Sequence, residues 1–410
     1  MSRFDEISEE VEILKNDFTA STSDHKEKIG RILLEFDIFA KSYKVLWEKV
    51  ATTTSSGTST DAATNRIATR IDDFWSDLQK IMNQYKEGNE YKPKVEQGMN
   101  ELEMLHSAPS GVFKEGETLP DALVYIKEDG VSLAKKYPFT TSFFIGISNT
   151  SANENDWLPL AHELGHYIYW NSQFDANDGM LIAEYDREPV FAESIRSAIE
   201  AIPKLQSLDE TTRVSLIILL TAWSEEIFAD IVGTILRKVK YLDSSVKLFK
   251  QTEEIPDNSS IYIEDFEHPI PYLRPLICIE TLKKIGDRDD ARWTIYSNWV
   301  QENFGGGFEA SQTLSIGLFP RSKSGVLAIP NLITALQSVI PIIYSKFQKR
   351  KTLSNRRSGI DFIEEQIEKG LVEFYIDSAI VLERGDGEGI RRQAGNLLRR
   401  LLRLLRRRNR

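Results

Sequence analysis

The segment LPLAHELGHYIYW, Leu158 to Trp170, holds two of the five histidines of the 410-residue chain. The two histidines are four residues apart, and on an α-helix residues at this spacing share one face, so both imidazoles can reach a single ion. The opposite face is apolar and carries Trp157, Leu160, Leu164 and Ile168. The pattern predicts a helix with its apolar side in a core and a metal on its histidine side.

His162, Glu163 and His166 match the pattern H-E-x-x-H. In zinc hydrolases with this pattern the two imidazoles bind the ion at about 2.0–2.1 Å, and the glutamate beside the first histidine acts on water. A chance match in a chain of this composition has a probability on the order of half a percent. The alternative interpretation is a pair of core or surface histidines that bind nothing.

A candidate third ligand lies in WSEEIFADIVG, where Glu226 and Asp230 are four residues apart. Glu226 is positioned to coordinate the metal, and Asp230, one turn later, to accept a hydrogen bond from the other nitrogen of a ligand imidazole. Glu225 is the rival ligand, but it has no acid one turn later. Small residues on the same face would let this helix approach the histidine helix closely, namely Ala222, Ala229 and Gly233.

LAHELGH followed by EIFAD resembles the gluzincin zinc metallopeptidases, most closely their HtpX-like and CAAX-prenyl-protease-like branch. HPIPYLR, His268 to Arg274, fits a further feature of that branch, an H-P pair with an arginine six residues after the histidine. The resemblance covers about residues 155–285, less than half of the chain. It implies one zinc ion, with His162, His166 and Glu226 as its ligands, Glu163 as catalytic base and Asp230 behind the ligands.

The resemblance also implies that His268 stabilises the oxyanion of the reaction and that Arg274 holds the local structure. Tyr262 and Tyr272 are alternative donors, and the alternative for His268 is a plain histidine in the turn before Pro269. On this basis we expect a zinc-dependent endopeptidase that hydrolyses a protein substrate with metal-activated water and a glutamate base.

Two other functions stay open. One is a metal-binding scaffold or interaction protein whose site is structural or inactive, and the other is a metal-dependent hydrolase of a non-peptide amide. Glu163 counts against the scaffold, because a structural zinc ion does not need a base.

Residues 3–106 have apolar positions spaced alternately by three and four, beginning with Phe4, Ile7, Val11, Leu14 and Phe18. This spacing predicts four helices in a bundle or short coiled coil, a candidate for self-association. The polar segment 51–64 is expected to be a flexible link between the second and third helices.

Two short segments rich in β-branched and aromatic residues, 122–126 and 141–148, predict a small sheet. The second is expected to offer an edge to which an extended substrate adds as a strand. Residues 209–240 have the pattern of one long helix. The uncharged segment 324–345 contains Pro330 and Pro341, which favours a buried helix pair broken at proline over a membrane span.

The net charge of −11 argues against general nucleic-acid binding. Cys278 is the only cysteine, so an internal disulfide is excluded, and with no signal-peptide core at the N-terminus we expect a cytoplasmic protein. The last twenty residues contain nine arginines and no acid. Their leucine spacing predicts a basic amphipathic helix whose partner is an anionic membrane surface, a nucleic acid, an acidic protein or the chain's own acidic body.

These patterns predict a mostly α protein with a small sheet, in the α+β class, built on a zincin-like core. Its expected parts are a helical bundle at 1–107, a zincin-like metallopeptidase domain at 108–290, a helical region at 291–384, and a flexible joint with the basic tail at 385–410.

Overall fold

A computed structural model of the chain describes residues 2–19, 25–53, 58–115, 117, 121–128, 133–135, 142–153, 157–172, 191–252, 260–263, 268–269, 273–287, 294, 298, 313–316 and 325–350. The described part is mostly helical with two small sheets, as the predicted α+β class requires. It forms two compact units, one from residues 1–100 and 118–152 and the other from 101–117 and 153–354. The arginine-rich tail lies outside the described residues.

The helices of the first unit have the predicted apolar spacing. They are α1 (Arg3–Thr19), α2 (Lys26–Thr53), α3 (Thr58–Asn83) and α4 (Lys92–Ser107), which ends in the second unit. The apolar residues predicted for α1 are all buried, from Ile7 at 0% exposure to Leu14 at 8%. The expected link at 51–64 is wrong in extent, because α2 continues to Thr53 and α3 begins at Thr58.

The sheet of the first unit has three strands in the order β1-β3-β2. They are β1 (Ala122–Lys127), β2 (Leu133–Lys135) and β3 (Phe143–Ser148), with the short helix α5 (Asn149–Asn153) after them. The central strand β3 pairs in parallel with β1, with Val124 opposite Ile145, and antiparallel with β2. The expectation that β3 offers a free edge to a substrate is therefore wrong, because β3 pairs with β1 on one side and with β2 on the other.

Side chains cover the outer edge of β1. Gln84 accepts a hydrogen bond from the backbone N–H of Ile126 (2.8 Å) and donates one to its carbonyl (2.9 Å), as a neighbouring strand would. The hydroxyl of Tyr85 donates a hydrogen bond to the backbone carbonyl of Val124. The backbone nitrogen of Val124 lies 3.4 Å from the sulfur of Met99. The backbone groups of Val124 and Ile126 at this edge are thus already satisfied within the unit.

The second unit is helical with a small sheet of its own. Its helices are α6 (Leu158–Asn171), α7 (Ala192–Glu200), α8 (Pro203–Gln206), α9 (Glu210–Ala222), α10 (Ser224–Arg237), α11 (Val239–Thr252), α12 (Arg274–Ile285) and α13 (Ile329–Lys349). Its strands are β4 (Ser260–Ile263), β5 (Thr313–Ile316) and β6 (Gly325–Ala328), with β5 between the other two. Helix α10 is buried along most of its length and packs against α6 and α12.

Two helix predictions are wrong in detail. The helix expected over 209–240 is interrupted at Trp223, whose ψ is −5°, and again at Lys238, whose φ is +54°. The helix pair expected around Pro341 is the single helix α13, which continues through that proline. Pro341 removes one backbone hydrogen bond to the carbonyl of Gln337, a residue with an exposed side chain. Among the described helices, none has both the length and the apolar character for crossing a bilayer.

Candidate metal centre

Helices α6 and α10 touch along their backbones at Gly165. A Cβ atom on Gly165 would lie 2.6 Å from the Cα atom of Ala229. Three small residues were predicted to allow this close approach, and of these Ala229 is the one that contacts Gly165. Gly233 instead leaves room for the ring of Tyr241, and Ala222 is exposed at the end of α9. This contact sets the short distance over which side chains of the two helices meet.

The close approach brings His162, His166 and Glu226 together around one point. The Nε2 atoms of the two imidazoles are 3.1 Å apart. The Glu226 carboxylate places Oε2 3.2 Å from Nε2 of His162 and Oε1 3.2 Å from Nε2 of His166. Each imidazole nitrogen thus faces a different oxygen of the carboxylate, and one ligand atom from each of the three residues lies within 4.8 Å of the other two.

Burial gives a second test of whether this group fits a metal. The exposed fractions of His162, His166 and Glu226 are 8%, 7% and 6%. The Oε2 atom of Glu226 is buried and accepts no well-aligned hydrogen bond from the described residues, although Nε2 of His162 is 3.2 Å away and a guanidinium nitrogen of Arg274 is 3.7 Å away. A buried carboxylate oxygen without such a partner is costly, and a cation bound between it and the imidazoles would remove that cost. The three residues form a buried group that could hold a metal ion.

Behind His162 lies a buried network centred on Asp230. Oδ1 of this carboxylate is 3.0 Å from Nδ1 of His162 and accepts a hydrogen bond of 2.7 Å from the Tyr241 hydroxyl. Arg274 donates to both carboxylate oxygens, at 2.7 and 2.8 Å. Burial by itself raises the pKa of Asp230, but the charge of Arg274 and the hydrogen bond with His162 outweigh it and hold that pKa below its usual range. Asp230 is therefore placed to keep Nδ1 of His162 protonated and Nε2 facing the site.

Behind His166 lies a different carboxylate, that of Glu225. Its Oε1 is 3.0 Å from Nδ1 of His166 and accepts a hydrogen bond of 2.7 Å from the indole N–H of Trp170. The Trp170 ring stacks on His166, with centroids 5.7 Å apart and an interplanar angle of 29°. Glu225 thus lies on the far side of His166 from Glu226, which is why it does not join the three converging residues.

The carboxylates favour positive charge between the two imidazoles. Burial lowers the pKa of both histidines, and the charge of Arg274 lowers that of His162 further. The contacts of this imidazole with the Asp230 and Glu226 carboxylates outweigh these effects, so the pKa of His162 lies above its usual value. Glu226 and Glu225 raise the pKa of His166 well above that value. A metal ion would supply the same positive charge that the protons supply.

Of the predicted catalytic residues, His268 contacts this group, and Glu163 follows one of its histidines on α6. Glu163 follows His162 on α6, is 5% exposed, and makes no hydrogen bond or ion pair with any residue that the structure describes. Nε2 of His268 is 3.6 Å from Oε1 of Glu226, and its side chain is 54% exposed. Of the alternative donors, Tyr272 and the side chain of Tyr262 lie outside the described residues.

Tyr241 and Trp170 are site residues that the sequence did not predict, and Tyr241 lies far along the chain from the histidine pair. It follows Lys238, which has a positive φ of 54° and separates α10 from α11. This turn brings the Tyr241 ring against Gly233, where a Cβ atom would lie 2.7 Å from it. Gly233 was the available signal, since an isolated glycine inside a helical pattern often has a packing reason, such as room for a large neighbouring side chain.

Comparisons of the chain with protein-family models, curated proteins and solved structures give no match.

Proposed function

We propose that the chain is a zinc-dependent endopeptidase of the gluzincin type, related to the HtpX-like and CAAX-prenyl-protease-like branch. The observation that carries the proposal is the convergence of two imidazole nitrogens, 3.1 Å apart, on one carboxylate that places an oxygen 3.2 Å from each of them. The same two histidines belong to the H-E-x-x-H pattern, in which Glu163, next to His162 in the sequence, would be the catalytic base.

The donor set favours zinc among the divalent metals. Two imidazoles and one carboxylate are the protein ligands of many catalytic zinc sites, which keep a fourth position open. Structural zinc sites are usually closed by four protein ligands, whereas the described residues supply three here. When bound, zinc would polarise a substrate carbonyl and lower the pKa of water at the site.

The chain's own residues would move the proton. Glu163 takes a proton from the attacking water and passes it to the amine that leaves when the peptide bond breaks. The Glu163 carboxylate is suited to this role because it makes no hydrogen bond or ion pair with any described residue. The exposed imidazole of His268, beside Glu226, donates a hydrogen bond to the oxygen on which negative charge develops.

The proposal is tested with Glu163→Gln, which keeps the size of the side chain and removes the base. Purified wild type and variant are compared for zinc content by mass spectrometry and for cleavage of a proteome-derived peptide library. We expect equal zinc content and loss of cleavage in the variant alone. Glu193→Gln, at an exposed glutamate of α7, is the matched control and should cleave as wild type does.

Two results would decide against a peptidase. Equal cleavage by wild type and Glu163→Gln would show that the activity is not that of this site. Zinc binding by a wild type that cleaves no peptide would favour the other functions, and a panel of non-peptide amides would then separate an amide hydrolase from a metal-binding scaffold.

A further inference from the structure

Each of the two proposed ligand histidines is held from behind by its own carboxylate. Nδ1 of His162 is 3.0 Å from Asp230, and Nδ1 of His166 is 3.0 Å from Glu225. In both cases Nε2 is the nitrogen that faces the metal group. The Asp230 contact belongs to the motif that the sequence analysis recognised, whereas the Glu225 contact does not.

Glu225 and Glu226 lie on opposite sides of the same imidazole. Consecutive residues of an α-helix point about 100° apart, so two adjacent acids at the start of α10 reach different sides of His166. Oε1 of Glu226 is 3.2 Å from Nε2, and Oε1 of Glu225 is 3.0 Å from Nδ1. His166 is therefore clamped between two acids that are neighbours in the sequence.

Trp170 completes this clamp from the same helix as His166. Its indole N–H donates to the same Oε1 atom of Glu225 that contacts the imidazole, at 2.7 Å. Its ring also stacks on the His166 ring. The Trp170 side chain thus fixes both the Glu225 carboxylate and the plane of the imidazole. The Glu225 side chain is mostly buried, with 17% of it exposed.

We propose that Glu225 is the positioning residue of His166 and that Trp170 holds Glu225 in place, an inference that rests on the proposed zinc site. A neutral imidazole carries one N–H. With Glu225 as acceptor, that proton stays on Nδ1 and the lone pair of Nε2 points at the ion. Without Glu225, the proton can occupy Nε2 and the ring can turn, and both changes weaken metal binding.

The experiment measures Zn²⁺ binding directly, by competition with a chromophoric chelator, and the absorption spectrum of the Co²⁺-loaded protein. Glu225→Ala is expected to weaken Zn²⁺ binding about 10–100-fold, as the loss of such outer partners does in other zinc sites. Glu225→Gln keeps an acceptor oxygen and should lose less. Trp170→Phe keeps the stacked ring, removes the N–H donor and should lose several-fold. Each variant should also change the Co²⁺ spectrum, which a change in general stability would not do.

The matched control is Glu210→Gln. Glu210 lies in the first turn of α9, as Glu225 lies in the first turn of α10, so this variant also removes a negative charge near a helix N-terminus. It should leave both measurements unchanged. Should Glu225→Ala fail to fold, Glu225→Gln and Trp170→Phe decide the question.

Wild-type Zn²⁺ binding and an unchanged Co²⁺ spectrum in the Glu225 and Trp170 variants would overturn the inference and leave the proposed function standing. A wild-type protein that binds no Zn²⁺ would overturn both. Weakened Zn²⁺ binding in these variants, together with a wild type that cleaves nothing, would support the positioning role and reject only the peptidase.

Discussion

The Cα atom of Ala229 lies 2.6 Å from where a Cβ atom on Gly165 would be. Helices α6 and α10 therefore meet backbone to backbone, one residue before His166 and three residues after Glu226. A glutamate side chain is short, so its carboxylate reaches both imidazoles only because the helices are this close. The metal group depends on a glycine that takes no part in the chemistry.

Gly165→Val is expected to separate the two helices. Overpacking of a tight contact costs typically about 1–3 kcal/mol, and here the obstacle is backbone that cannot rotate away. We expect lower stability in urea unfolding and loss of zinc at equimolar metal. Gly30→Ala is the control, because Gly30 lies inside α2 with open space at its Cβ position, and this change should stabilise by about 0.5–1 kcal/mol. Tight zinc binding by Gly165→Val would contradict the dependence of the site on this contact.

Removal of Glu226 should remove the metal. Glu226→Ala takes away the only carboxylate among the three converging residues, so its Zn²⁺ affinity should fall by more than the ~10–100-fold typical of outer partners. The measurement is chelator competition, with the exposed Glu193→Gln as control. An affinity within a few-fold of wild type would show that the ion is held elsewhere.

Tyr241→Phe removes one hydroxyl from the network around Asp230. A hydrogen bond to a charged group contributes about 1.5–3 kcal/mol, and the free energy of unfolding should fall by this amount in chelator-treated protein. The Tyr344 hydroxyl accepts a hydrogen bond from the exposed side chain of Gln348 and from no other residue that the structure describes, so Tyr344→Phe should cost less than about 0.5 kcal/mol. Equal effects of the two changes would show that the Tyr241 hydroxyl does not stabilise Asp230.

Proton and metal should compete at the site. Folding raises the pKa values of His162 and His166 above the usual histidine value of about 6.5. Protonation of these two histidines therefore stabilises the metal-free protein, and this stabilisation is complete below about pH 6.5. It is lost as the pH rises through the raised pKa values. Zn²⁺ needs neutral imidazoles, so its affinity should rise over the same interval. The increase in melting temperature on adding Zn²⁺ should therefore be larger at about pH 8 than at about pH 6. An increase independent of pH would contradict ligation by these histidines.

The site was predictable where its signals are local. The spacing of His162 and His166 and of Glu226 and Asp230 follows from one helical turn, and the structure brings all four together. Gly233 indicated that a large side chain packs against α10, but it did not indicate which one. The position of Tyr241 depends on a turn at Lys238, and a lysine with positive φ carries none of the usual glycine or asparagine signal.

The fold shows the same division between local and distant causes. The helical spacing in α1 predicted which residues are buried. The central position of β3 was not predictable, because strand order depends on pairing between segments separated by a long connection. The passage of α13 through Pro341 shows tertiary packing overriding a local preference worth about 3 kcal/mol.

The side chain of Gln84 imitates a neighbouring strand along β1. An exposed strand edge of this kind is a template on which copies of a protein stack into fibrils, and here the Gln84 amide covers it at Ile126 while Tyr85 and Met99 cover it at Val124. Loss of the Gln84 amide would leave the backbone groups of Ile126 open to pairing with another chain, so this side chain protects the purified protein from aggregation.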